Sequence, residues 1–391
     1  MSETGMATEL GQARQRALVV GMLGLVLCAA GALVDRAQLF RSWLFAFLFW
    51  SGLGIGCMSL LMIQHLTGGL WGLTIRRILE AGSRTLCYVW LLFLPLLLGL
   101  GDIFTWANPA ALAADEHLRK GVEAKHLYLN VPFFVGRAVF YFVVWGVLAY
   151  LLSELSLRQD AGWTRKLARR MRGLSGGGLL LMGLTITFSS VDWAMSLDPL
   201  WFSHIWGVMF MVSPALAAMA LCIVVLARFG HQQPLARAAR PETLHDLGKL
   251  MLAFVMLWAY VNLSQFVIIW SGNLPEETPW YILRLQGGWQ VLAMALLLCH
   301  FCLPFLLLLS KDLKLHANPL AAVASLILIM RVVDLYWLVG PELHPAGGPS
   351  WLDLAAFAAI GGIWLFLFAR ELGSRPLLPI GDPELEEALG P

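Results

Sequence analysis

Apolar residues fall along this chain in ten runs, near residues 17–34, 42–64, 85–101, 131–153, 175–195, 204–227, 250–270, 285–310, 320–339 and 351–368. An α-helix rises about 1.5 Å per residue, so each run crosses, or nearly crosses, about 30 Å of hydrocarbon. In lipid every backbone polar group must find its partner inside the protein, which leaves α-helices for runs of this length. The pattern predicts an all-α integral membrane fold. Residues 1–391 then form a single polytopic membrane domain with about ten transmembrane helices.

The informative positions are those that break the pattern. Between Leu184 and Trp206 two apolar runs meet at a junction that carries Asp192, Asp198 and His204. Thr185, Ser189, Asp192 and Ser196 fall at helical spacing and draw a polar stripe down one face. A carboxylate on such a face is costly in lipid and turns toward a bundle interior or a wet cavity. Asp198-Pro199 also reads as a plain turn at a helix end.

Arg137, Tyr141 and Trp145 share one face of the fourth run. Arg137 lies about six residues, roughly 9 Å, inside its outer boundary. An arginine there snorkels to the surface or pairs with a carboxylate such as Asp192. The second run carries Gly52, Gly54 and Gly56, which let another helix approach closely. Its end reads Gln64-His65-Leu-Thr-Gly-Gly, followed by Arg76-Arg77 and Glu80. His65 and Glu80 are placed to handle protons, or else they flank a Gly-rich turn among membrane anchors.

Trp258, Asn262 and Gln265 line one face of the seventh run, for helix packing or for a polar ligand. His300 stands near the middle of the eighth run. Arg331 and Asp334, three residues apart in the ninth, form a local pair or the outer half of a proton path.

Composition agrees with the pattern: 59% of residues are hydrophobic, 13% are charged, and mean hydropathy is +0.72. Charge adds orientation. With the N-terminus in the cytoplasm, 19 of the 27 Lys and Arg fall on the cytoplasmic side and 6 outside, with Arg137 and Arg331 within spans. That bias predicts that both termini are cytoplasmic. Arg14 and Arg16 before the first run imitate a signal peptide, but the run reaches Val34 and reads as a retained helix. The one sizeable external loop, from Asp102 to Asn130, is expected to cap the outer face or meet a partner.

Six cysteines lie within apolar runs and read as reduced, buried thiols. His65, His204 and His300 fall at three different depths, so no two are placed to ligate one haem. Cys299-His-Phe-Cys302 lacks the further ligands of a zinc or iron–sulfur site. Neither haem, iron–sulfur nor metal is expected in this chain, and no nucleic-acid partner.

The block His245-Asp-Leu-Gly-Lys through Trp258, Tyr260, Asn262 and Gln265 to Asn273-Leu-Pro-Glu-Glu-Thr278 and Trp280-Tyr281 carries a resemblance. With Ser189-Ser-Val-Asp-Trp193 and His65-Leu-Thr-Gly-Gly69, it resembles a quinone-associated membrane subunit of bacterial alternative complex III, the shorter of two sister subunits. Those assemblies are quinol:cytochrome c oxidoreductases, and the subunit is similar to polysulfide-reductase membrane subunits. The resemblance covers nearly the whole chain. It implies two four-helix bundles, helices 2–5 (about 42–195) and 6–9 (about 204–339), with helices 1 and 10 peripheral. It implies a non-covalently bound quinone or quinol. The implied partners are iron–sulfur and cytochrome c subunits, a sister quinone-type membrane subunit, and the lipid bilayer, here that of a bacterial inner membrane.

On that reading the chain is a cofactor-free subunit of an oxidoreductase, serving quinol oxidation, proton conduction or both. The expected quinone set is Arg137, Tyr141, Asp192, His204 and Gln265, with Asp192 as proton acceptor held ionised by Arg137. The expected proton path is His65, Glu80, His300, Arg331 and Asp334. A secondary transporter also shows many helices with buried charges, and should add repeats with broken helices in matching positions. A purely structural anchor needs no intramembrane charge at all.

Overall fold

The computed structural model describes residues 3–344, 348–379 and 381–389, and every regular element among them is helical. Nine helices among the described residues are long and apolar enough to cross a membrane, which makes the chain a multi-pass membrane protein. They begin with α1 (Glu3–Val34) and α2 (Arg36–Thr67). Two shorter helices follow, α3 (Leu70–Arg84) and α4 (Val89–Leu97). The remaining long helices are α5 (Val131–Ala161), α6 (Arg165–Trp193), α7 (Trp206–Phe229), α8 (Pro241–Gly272), α9 (Trp289–Leu309), α10 (Ala317–Leu343) and α11 (Trp351–Gly373).

Side chains fix where these helices start. Asp35 accepts the Gln38 amide to cap α2, Asn130 accepts that of Phe133 for α5, and Thr164 that of Leu167 for α6. Ser350 and Asp353 form a capping box at the start of α11.

The third apolar run departs from expectation, because it is not one continuous helix. It starts where α3 ends at Arg84, opens as a 3-10 turn at Thr85–Cys87, and continues as the short α4. The Thr85 hydroxyl donates to the Gly82 carbonyl at 2.7 Å, a local bond that competes with the helical ladder. Pro95, which has no N–H to give, then limits α4 to nine residues.

At the centre is α2, apolar on every side. Its most apolar window is 94% buried, against 22% for α1. It packs on α3, α6, α7, α10 and α11. Gly56 is needed there, since a Cβ on it would sit 3.1 Å from the Ala215 amide nitrogen of α7 and closer still to Pro214. α1 lies along α11 in the same way, with Gly24 against the backbone of Ala355 and Ala359. The 102–130 segment folds into two short capped helices and packs on the junction after α6. Trp106 there donates to Ser196, and the Lys125 ammonium donates to the Pro199 carbonyl at 2.6 Å.

Candidate functional site

Three polar clusters are built into the apolar body. The first joins α5 to α6. Arg137 grips Asp192 with two parallel bonds, Nε to Oδ2 at 2.9 Å and Nη2 to Oδ1 at 2.8 Å. Such bidentate pairs are the strong form of ion pair. The Tyr141 hydroxyl donates to Oδ2 at 2.8 Å. The remaining Arg137 donor reaches the Tyr128 carbonyl, and its guanidinium lies 3.8 Å from the Tyr128 ring centroid and 4.3 Å from that of Phe133. Asp192 is 1% exposed and has three donors on its two oxygens. The stripe that leads to it, Thr185, Ser189 and Ser196, is buried as its spacing predicts.

The second cluster lies where α8, α9 and α10 meet. Arg331 and Asp334 pair through Nη1 and Oδ2, and the Trp258 indole donates to the same Oδ2 at 3.2 Å. Asp334 Oδ1 is buried and has no hydrogen-bond partner. His300 packs edge-on against Trp258, ring centroids 4.3 Å apart, and is fully buried with neither ring nitrogen bonded. It is carried on a π-turn, Leu296–Cys302, within α9. Such turns add a residue to the helix and re-aim its side chains, and they recur at functional sites. Arg331 also lines a small cavity of about 30 Å³, together with Ser51, Ser189 and Ser190. That space holds about one or two waters.

The third cluster closes the opposite end of the bundle. Glu80 accepts from Arg76 at 3.1 Å, Arg77 at 2.6 Å and Ser156 at 2.5 Å, and Arg375 stands 3.6 Å away. Arg77 also pairs with Asp160, and Arg76 with Asp382 at 3.0 Å. Each buried charge here has a counter-charge, the condition for keeping charges out of water. His65 sits apart from this network. Its Nδ1 is 2.9 Å from the Ser175 hydroxyl, and its Nε2 is buried and unbonded.

The sequence-derived sets are therefore regrouped. Of the quinone set, Arg137, Tyr141 and Asp192 come together. Gln265 lies elsewhere, accepting from Ser203 at 2.6 Å with its own Nε2 unbonded, and His204 is exposed. Of the proton set, His300, Arg331 and Asp334 share one cluster around Trp258, while His65 and Glu80 lie at the far end in separate surroundings.

Two buried polar groups escaped the sequence reading. Arg284, counted among external basic residues, is fully buried. It donates to the Trp280, Trp337 and Leu338 carbonyls and pairs with Glu342 at 2.6 Å. At the start of α11, Asp353 accepts from Ser42 at 2.6 Å, and His344 Nε2 lies 3.3 Å from its Oδ2. Burial pulls the His344 imidazole below its ordinary value, with Asp353 opposing and Arg41 adding to the drop. Only the capping pattern Ser350-x-x-Asp353 pointed toward that corner.

The fold and its polar interior define a multi-pass α-helical membrane protein with charged groups held inside its helical body. No protein-family model matches the chain, and no curated protein matches it. Among the described residues no group of three or more His, Cys, Asp or Glu could hold a metal ion.

Proposed function

We propose that this chain is a membrane subunit of a quinol:cytochrome c oxidoreductase of the alternative complex III type, and that its own task is to carry protons through the cluster of His300, Arg331 and Asp334. The resemblance of the 245–281 block supports the assembly. The polar interior supports the task. One observation carries it: His300 is fully buried with both ring nitrogens open, and the Trp258 ring it packs on donates to a carboxylate with one open oxygen. Buried polar atoms without partners are rare in folded proteins, and where they persist they call for water or a moving proton. Intramembrane ionisable groups mark such paths in pumps and transporters. The small cavity beyond Arg331 extends the route toward Ser189 and Ser190, within one helical turn of Asp192.

Asp192 fits the role of quinol base less well. Its oxygens already take three donors, two of them from a cation, so about one of four lone-pair positions, on Oδ1, is left for a quinol hydroxyl. Direct quinol contact keeps one specific support, the open, buried Nε2 of Gln265.

The test starts from the native membrane. A tagged chain should co-purify with haem- and iron–sulfur-bearing subunits, and the assembly should reduce cytochrome c with quinol. A chain that purifies alone and moves a solute contradicts the assembly. In an intact assembly, Tyr141→Phe should leave quinol oxidation close to wild type. Sharp loss of the electron rate, with the assembly still formed, would return quinol chemistry to the Arg137–Asp192 cluster.

A further inference from the structure

Outside the clusters used above, the end of the bundle at His65 holds a cavity of about 260 Å³ between α2, α5, α6 and the segment after α11. Arg76, Arg165, Arg169 and Arg172 lie on its walls, against the carboxylates of Asp382 and Glu384. Arg76 is committed to Glu80 and Asp382, and Arg172 reaches Glu384 at 3.4 Å. Among the described residues Arg165 and Arg169 have no acidic partner, so the walls keep an excess of positive charge. Two further polar atoms of lining residues are buried and unbonded, Nε2 of His65 and Oε1 of Gln64. His65 is 7% exposed. In the tautomer in which the Ser175 hydroxyl donates to Nδ1, Nε2 carries the proton and is a free donor.

The helix that supplies these arginines adds a second reason. α6 opens with Arg165 and Lys166, and Arg169, Arg170 and Arg172 follow within its first two turns. Cations at a helix N-terminus oppose the macrodipole, and an anion among them removes that conflict. Arg165, Arg169 and Arg172, at spacings of four and three, share the face that borders the cavity.

We infer that this cavity binds a phosphate group, held by Arg165, Arg169 and the His65 Nε2–H. This site is independent of the proton reading above. The surroundings favour the headgroup of an anionic phospholipid as the source. Trp163 lines the mouth half-exposed, as tryptophans do at membrane–water interfaces. Leu180, Leu184 and Phe188 lie exposed further along α6, where acyl chains would run. Basic pockets between helices on the positively flanked side of a membrane protein suit such headgroups.

The experiment uses the full chain purified from membranes in mild detergent, with native mass spectrometry as readout. Phosphatidylglycerol, phosphatidylcholine and inorganic phosphate are the probes. The expected result is retention of phosphatidylglycerol over phosphatidylcholine, weakened by about thirtyfold in Arg165→Ala/Arg169→Ala. The same charge loss off the cavity, Lys166→Ala/Arg170→Ala, should leave retention unchanged and serves as the control for folding. Phosphate binding that depends on Arg165 and Arg169, without lipid preference, keeps the site and makes its source soluble. No selective binding by the wild type, or equal loss in both double variants, overturns it.

Discussion

Replacing Arg137 by methionine keeps most of its apolar stem and removes the guanidinium that Asp192 depends on. The carboxylate is then left 1% exposed with the Tyr141 hydroxyl as its remaining side-chain donor. Breaking a buried pair from one side costs about 3–5 kcal/mol, because the surviving charge is uncompensated. Asp192→Leu strands the arginine instead, softened by the Tyr128 carbonyl and by the Tyr128 and Phe133 rings, so it belongs at the lower end of that range. In the double variant no charge is left to strand. What persists is the Tyr141 hydroxyl without its acceptor, a loss of about 1–3 kcal/mol. The double replacement should therefore fall about 3 kcal/mol or more short of the sum of the singles. Equilibrium unfolding in mixed micelles, followed by tryptophan fluorescence for all four proteins, gives the cycle. Additivity within about 0.5 kcal/mol would refute the contact between the two residues.

Three further outcomes are expected. Single cysteines at Arg165 and Glu276 should label from opposite sides of intact vesicles, and labelling from one side alone would contradict the span order between them. His344, whose imidazole burial holds below 6.5, favours the neutral form when folded. Its contribution to stability is thus full above pH 6.5 and shrinks as pH falls toward the lowered folded value. His344→Gln should flatten the stability–pH slope just below 6.5, and an unchanged slope would remove His344 from the account. Glu80→Gln removes the negative charge shared by Arg76 and Arg77, turns one of its two acceptor oxygens into a donor amide, and should destabilise by about 3–5 kcal/mol in the same unfolding assay. A near-neutral effect would mean that the Arg76–Asp382 and Arg77–Asp160 pairs hold that end unaided.

Much of the fold was legible because lipid leaves the backbone one solution and apolar runs of fixed length report it. The third run resisted for a reason held in single residues. Composition along 85–101 is as apolar as elsewhere, but the Thr85 hydroxyl and Pro95 break the ladder that hydropathy cannot see. Within the site, depth and charge named Asp192 as one of two outcomes for Arg137, beside snorkelling, because two opposite charges at one level in lipid can satisfy each other, and the pair is the outcome seen. Sequence gives no such rule for neutral or already satisfied groups. Glu80 read either as a proton-handling group or as part of a turn among membrane anchors, and only the fold brings Arg76, Arg77 and Ser156 onto it. Arg284 read as a loop cation, although helix-end carbonyls and Glu342 hold it fully buried. His300 gained its meaning from the π-turn that brings it against Trp258, a register change that no residue in Leu296–Cys302 announces.

The proton role of the His300–Arg331–Asp334 cluster is tested most directly by the number of protons released per electron in vesicles containing the whole assembly. Asp334→Asn keeps the shape of the side chain and can still bond Arg331 and Trp258 weakly, but it cannot take up a proton. The account predicts that quinol-driven cytochrome reduction continues while proton release per electron falls, and that His300→Phe gives the same result. Proton release per electron equal to wild type in both variants, with the assembly intact, would contradict it.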